Sequence, residues 1–417
     1  MFPVRYLASS FGSAGDFLPT LAVARALAEE GHEVIFVTNP FHERAVRRAG
    51  LRYVAAGELV DITRLITDDP SLLLPSHGGR VLLEEVGPAY VVATYHASRE
   101  LLRTTRVDAV IGSNLAYGVL WAAMERRLPT VMVSATPLFW LSSRAPAQFL
   151  DFELPAWLLP YAAGLSSALT MGLLDHGLRN LARTLGVTAF DASLTAIEAG
   201  LALHAGMWPE LVRGPAVGDP PSRRACGFAS AGRLGATTEA LAPELESYLA
   251  SGEPPVVIGL GSIFSLGSDA LVADLAEACA ALGRRSVVVG LAPRGRALPP
   301  STLVVPYAPY DLLFPRAAAV VIHGGAGTTG EALKCGRPSV VVPLALDQFS
   351  LAWQVDRLGA GVRVPKRGRS RDVLARALER ACADEQLAAR AEEIARALHA
   401  EPDGAQRTAQ LVVDRTR

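Results

Sequence analysis

The chain of 417 residues carries 40 basic and 41 acidic side chains, so it has no charge surplus of the kind that marks a nucleic-acid or polyanion partner. Its length suits two domains of about 200 residues each rather than one. Cys226, Cys279, Cys335 and Cys382 are widely scattered, with no CxxC pair or histidine cluster at metal spacing; they read as thiols of a reducing, cytoplasmic protein.

Residues 4–9 form an apolar run long enough for a strand and too short for a secretory core. The turn FGSAGD follows at 11–16, and Pro19 suits the first turn of a helix with Leu21, Val23, Ala24, Leu27 and Ala28 on its apolar face. Gly31 stops that helix, 33–38 reads as a strand, and Asn39-Pro40 precedes a helix at 43–49. This cadence predicts a βαβ unit and a parallel, doubly wound sheet. Residues 57–79 mix turn and apolar residues without a period, as a long loop lining a substrate site does. A helix at 81–104, a strand at 109–111 leading to Ser113-Asn114, a helix at 115–126 and a strand at 130–134 come next.

From 135 to 174 the composition turns aromatic and apolar. Phe139, Trp140 and Phe149 are candidates for the wall of a pocket that takes a flat or lipidic alcohol or phenol. Residues 154–174 are uncharged over nearly the ~20 residues that span a bilayer. Pro155, Pro160 and Gly164 interrupt them and no basic flank orients them, so a peripheral membrane contact or a substrate-facing helix pair is the expectation. An amphipathic helix follows at 175–185, and the Gly-, Pro- and Ser-rich stretches at 214–221 and 227–238 lead into a second half.

That half shows a helix at 244–249, a strand at 255–258, the turn GLGS ending in Ser262, a helix at 269–282 and a strand at 286–290. The stretch AAAVVIHGGAGTTGEALKCGRPSVVVPLALDQ at 317–348 organises the rest. A buried strand delivers His323 and a small-residue turn, 324–327; a helical segment ends at Gly336 and Pro338; a second strand at 339–342 delivers Asp347-Gln348. A glycine turn opening a helix exposes unpaired N–H groups at the positive end of the helix dipole, beyond the carboxyl ends of the strands. That is a phosphate site in physical terms, with His323, Gly325, Gly327 and Thr328 as its candidates, although such turns also occur without a ligand. A helix at 348–358, a strand at 361–364, helices over 370–400 and a short helix at 404–414 complete the chain.

His323-Gly324-Gly325, Thr328, Glu331, Pro338 and Asp347-Gln348, at these spacings, resemble the donor signature of the family 1 glycosyltransferases, and Tyr307-Ala308-Pro309 resembles its opening. The opening FGSAGDFLPTLAVARALAEEGHEV and the phrase WPELVRGP…CGF are similar to bacterial branches that act on macrolides, glycopeptides and sterols or form rhamnolipids. The resemblance implies a GT-B architecture, two Rossmann-like doubly wound α/β domains facing across a cleft. It implies an acceptor-binding domain at 1–227, a nucleotide-sugar domain at 228–400 and a C-terminal helix at 401–417 returning to the first domain. It further implies diphosphate binding by His323, Gly325, Gly327, Thr328 and Ser262, and nucleoside binding by Tyr307, Ala308 and Glu331. Asp347 and Gln348 would hold the donor sugar. Asp16 stands where many relatives carry a histidine base, and Ser113-Asn114 replaces the aspartate that orients that histidine. Asp16 is thus the candidate general base, assisted by Ser13, with Asn114 on the acceptor; an aspartate here also serves as a helix N-cap.

The expected chemistry is inverting transfer of a sugar from a nucleotide sugar to a hydroxyl of a hydrophobic small molecule. Glu331 can accept from both ribose hydroxyls, which favours UDP-glucose over a dTDP-sugar. No Asp-x-Asp motif is present, so no metal or further cofactor is expected. The chain is expected to act as a monomer or homodimer. A GT-B enzyme of other chemistry and a non-catalytic activator of a transferase are the competing readings.

Overall fold

The computed structural model describes residues 3–416 apart from 62–63, 66–67, 70–71, 73–85, 141–158, 231–239, 262–268 and 346, and only some side chains between 159 and 173. Among the described residues the strands fall into two sheets. β1 (Arg5–Ser9), β2 (Glu33–Thr38), β3 (Arg52–Ala55), β4 (Ala109–Ser113), β5 (Thr130–Ser134), β6 (Leu203–Gly206) and β7 (Arg223–Ala225) form the first, in the order β3-β2-β1-β4-β5-β6-β7. β8 (Val256–Gly259), β9 (Ser286–Val289), β10 (Thr302–Val305), β11 (Ala319–Ile322), β12 (Ser339–Val341) and β13 (Gly361–Arg363) form the second, in the order β10-β9-β8-β11-β12-β13. Every pairing is parallel, as with Tyr6 beside Val34 and Ala109, or Val321 beside Ile258 and Val340.

Parallel sheets persist only where both faces are covered, and the apolar strands satisfy that. In the first sheet Tyr6, Ala8, Phe36, Ile111 and Val133 point to one face, onto Phe17, Leu21 and Leu27 of the helix Ala14–Glu29. Leu7, Ile35, Val37, Val110 and Met132 point to the other, onto the helices Gly87–Thr104 and Tyr117–Glu125. The second sheet divides in the same way, with Val256, Ile258 and Val321 against the helices Asp269–Ala281 and Arg371–Ala383. The helix Gly404–Thr416 crosses back to the first lobe, where Ala405, Ala409, Val412 and Val413 join the core around Tyr6 and Phe17.

Four strands are silent in the sequence reading: β3, β6, β7 and β10. β6 (LHAG) and β7 (RRA) are short, and polar residues break their apolar pattern. The structure neutralises those residues instead of exposing them. Buried Arg223 meets Glu198 at 2.9 Å and Asp219 at 3.0 Å, and His204 Nε2 lies 2.8 Å from Ser134 Oγ. Two helices begin inside a turn anticipated from the sequence. The first begins at Ala14, inside the anticipated turn, so Pro19 falls at its sixth position rather than its first turn. The helix Ala326–Lys334 likewise begins within the anticipated turn, with Gly325 as N-cap.

Of the uncharged stretch at 154–174, residues 154–158 lie outside the described ones. From Leu159 the chain is one helix to Thr184 that also carries Asp175, Arg179 and Arg183. Among the described residues no helix is long and apolar enough to cross a membrane.

Candidate active site

In doubly wound sheets ligands bind beyond the carboxyl ends of the strands, where the strand order reverses. Here those points lie between β1 and β4 in the first sheet and between β8 and β11 in the second. The chain leaving β1 carries Ser13 and Asp16, β4 leads to Asn114, β8 to Gly261, and β11 to His323.

The segment after β1 is held from several sides. Tyr90 Oη lies 2.9 Å from Ser9 Oγ and donates to the Ser10 carbonyl at 2.9 Å, where Thr38 Oγ1 donates at 2.6 Å. The Phe11 ring stacks on Tyr90 at 4.2 Å. Gly12 then turns the chain at φ +119°, and a Cβ there would stand 2.8 Å from Asp16 Oδ2. Ser13 caps the helix, and Asp16, in its first turn, reaches back to it. Asp16 Oδ2 accepts from the Ser13 N–H at 3.1 Å and from Ser13 Oγ at 2.9 Å. Both bonds converge on Oδ2, so Oδ1 is the oxygen left to meet a substrate hydroxyl. Burial pushes the Asp16 carboxyl above its ordinary value, against the two bonds from Ser13. The helix-capping bonds therefore engage one carboxylate oxygen and are compatible with a base role for the other. Asn114 is buried, and its Nδ2 has no hydrogen-bond partner among the described residues.

In the second lobe His323 is nearly buried, its ring wedged between two glycines. A Cβ on Gly261 (φ +77°) would lie 2.7 Å from the ring Cε1, and one on Gly325 would lie 2.4 Å from Nε2. Gly325 is thus needed by the histidine before any ligand arrives. Burial lowers the His323 pKa to about 4, so the imidazole is neutral near pH 7. The helix Ala326–Lys334 has no side-chain cap, and Gly327 opens to solvent with nothing near the position of a Cβ. The N–H groups of its first turn, beside Thr328, have no intrahelical acceptor and are oriented for an anion.

Asp347 ends the loop after β12. Its carboxyl is pushed up to about 7, first by burial and then by the negative charge of Asp16, while a hydrogen bond from Thr136 opposes the shift. Thr136 belongs to the first lobe and Asp347 to the second, so the two lobes bring Asp16 and Asp347 to one cleft. Sequence reasoning missed Thr136; its only signal is its place two residues beyond the strand expected at 130–134.

Several expected site residues have other work. Trp140 is fully buried, T-shaped against Trp208 at 4.8 Å, with the guanidinium groups of Arg213 and Arg223 over its ring at 5.3 and 5.8 Å. It is core and does not face an acceptor. Gln348 is buried as well, and its Oε1 accepts from the N–H groups of Leu344 and Ala345 at 2.8 and 3.1 Å. That carbonyl shapes the loop presenting Asp347, which leaves the amide NH2 as the group able to meet a sugar. Ala308 is buried beside Tyr307, which is 55% exposed just beyond β10. Phe139 is half-buried after β5. Glu331 is pushed up by burial, opposed first by the charge of Lys334, 3.5 Å away. Ser262 and Phe149 lie outside the described residues.

Residues 277–413 match the family model for the erythromycin biosynthesis protein CIII-like C-terminal domain. The crystal structure of the kitacinnamycin glycotransferase superposes over 100% of both chains with a TM-score of 0.75 at 23% identity. An O-mycaminosyltylonolide 6-deoxyallosyltransferase of Streptomyces fradiae is 41% identical over 160 residues, 38% of each chain. A sterol 3-beta-glucosyltransferase of Arabidopsis thaliana is 27% identical over 375 residues, 86% of this chain and 57% of the relative. The chain has the GT-B fold of the solved glycosyltransferase, and its C-terminal third is similar to the CIII-like domain. In these alignments it spans 38% and 57% of the length of the two curated relatives. Asp16 and Asn114 follow strands of the first sheet, His323 and Asp347 follow strands of the second, and the two sheets are joined through the segment between Ala225 and Val256.

Proposed function

We propose that the chain transfers a sugar from a nucleotide sugar to a hydroxyl of a hydrophobic small molecule, a natural-product aglycone, phenol, sterol or lipid, with inversion and with UDP-glucose as donor. The observation carrying this reading is the approach of Asp16 and Asp347 from opposite lobes, close enough for the charge of one to raise the pKa of the other. Asp16 Oδ1 takes the acceptor proton; Ser13 fixes the carboxylate, and Asn114 Nδ2 donates to the acceptor. Asp347 and the Gln348 amide hold sugar hydroxyls. Neutral His323, the N–H groups at Gly327 and Thr328, and Ser262 receive the departing diphosphate, whose charge grows in the transition state. Tyr307 stacks on the base above Ala308, and Glu331 takes the ribose diol. A single displacement with one base leads to inversion. No metal takes part, so EDTA should leave turnover unchanged.

A second reading, a dTDP-deoxysugar donor, is favoured by the name of the Streptomyces relative, which specifies a 6-deoxysugar. UDP-glucose, UDP-galactose, dTDP-glucose and dTDP-rhamnose, each offered with phenolic, steroid, macrolide and hydroxy-lipid acceptors and read by mass, separate the two. An acceptor gaining one hexose from a UDP-sugar is the expected result. Nucleotide release without a glycosylated acceptor would point to other GT-B chemistry, and no turnover with any pair to a non-catalytic role.

A further inference from the structure

Glu331 and Lys334 lie one turn apart on the helix that begins the donor site, with Nζ 3.5 Å from Oε1. The same ammonium donates to the Ala229 carbonyl at 2.9 Å and stands 5.9 Å from the centre of the Phe228 ring. Phe228 and Ala229 belong to the segment that joins the two sheets. That segment is gripped from its other side by the start of the C-terminal helix. The Gly404 N–H donates to the Phe228 carbonyl at 3.0 Å, and the Ser230 N–H donates to Asp403 Oδ2 at 2.7 Å. The packing leaves no slack. A Cβ on Gly330 would lie 2.9 Å from the Phe228 ring, and one on Gly404 would lie 2.1 Å from the Gly227 carbonyl oxygen. One cation therefore touches both a nearly buried carboxylate of the donor helix and the backbone crossing between the lobes.

We propose that Lys334 is a positioning residue that holds Glu331 toward the donor's ribose diol and couples that contact to the interlobe segment. The proposal rests on the reading of Glu331 as the ribose ligand. Without a donor, Glu331 and the Ala229 carbonyl share the ammonium. When two ribose hydroxyls donate to the carboxylate, the ammonium keeps it charged and oriented while staying bonded to the Ala229 carbonyl, so the crossing segment is ordered together with the donor. Discrimination between ribose and deoxyribose nucleotides thus depends on a residue that need not touch the nucleotide.

The test compares binding of UDP and 2′-deoxy-UDP, which share a base, to the full-length protein by calorimetry. Amide hydrogen exchange at residues 227–230 is followed with and without each nucleotide. The native protein should prefer UDP, and UDP should slow that exchange. Lys334→Met should weaken UDP about tenfold, the scale of one hydrogen bond to a charged group, and 2′-deoxy-UDP by no more than about twofold. It should also abolish the UDP-dependent protection. Lys334→Gln serves the same reading if the methionine variant does not fold. Equal weakening of both nucleotides, or retained preference with retained protection, would overturn the proposal. Glu331→Gln separates the two levels of the argument. If it narrows the preference while Lys334→Met does not, the role of Lys334 falls alone. A native protein without the preference, or Glu331→Gln leaving it intact, would remove the ribose reading and this proposal together.

Discussion

At the scale of single residues, the cleft is shaped by groups kept in protonation states that open solvent would not favour. Asp347 is the clearest case, and its sign can be worked out. A carboxyl whose folded pKa lies near 7 rather than 3.8 favours the native state while protonated. That contribution is fully present below the ordinary carboxylate pKa and is lost as pH rises through about 7. Asp347→Asn should therefore flatten the fall in stability over this interval, measured as denaturation midpoints at stepped pH; an unchanged slope would show that the carboxyl titrates normally. Gly325 poses a steric question of the same size. Gly325→Ala drives a methyl to 2.4 Å from His323 Nε2, so the imidazole must swing away. Turnover should fall on the order of 10²-fold, as when one preorganised donor is lost. Unchanged steady-state kinetics would mean the histidine does not serve the diphosphate.

Among the elements, the helix starts and the strand ends carry the candidate site, and they were unequally legible. β11, β12 and the turn between them could be read because uninterrupted Val and Ile runs flank glycines and a histidine. β6 and β7 could not be read, since Arg223 and His204 look solvent-exposed until Glu198, Asp219 and Ser134 are known to surround them. Trp140 misleads for a related reason. An aromatic residue past a strand end looks like a pocket wall, but here Trp208 and two arginines enclose it. Trp140→Ala should accordingly cost roughly 3–5 kcal/mol of stability. A chemical-denaturation curve reads that loss, and a folded variant with native stability but altered acceptor choice would restore the pocket-wall reading. Thr136 was invisible because its partner, Asp347, is more than two hundred residues away and on the other lobe.

For the whole molecule, two parallel sheets of the same design bring Asp16 and Asp347 to one cleft, so the proposed site draws on both lobes. The first supplies a carboxylate fixed by its own helix cap. The second supplies a helix start, a neutral imidazole and an acidic loop. The C-terminal helix, packed on the first lobe beside Phe17 and Leu21, ties the lobes into one unit. This division of labour makes the two halves of the reaction separable by mutation. Asp16→Asn keeps an oxygen facing Ser13 but removes the proton acceptor. If the lobes work as described, nucleoside diphosphate release in the presence of acceptor should drop by about 10²–10⁴, the scale of a lost general base, while calorimetric affinity for the nucleotide sugar stays within about twofold of native. Near-native turnover by Asp16→Asn, or loss of donor binding in step with turnover, would contradict it.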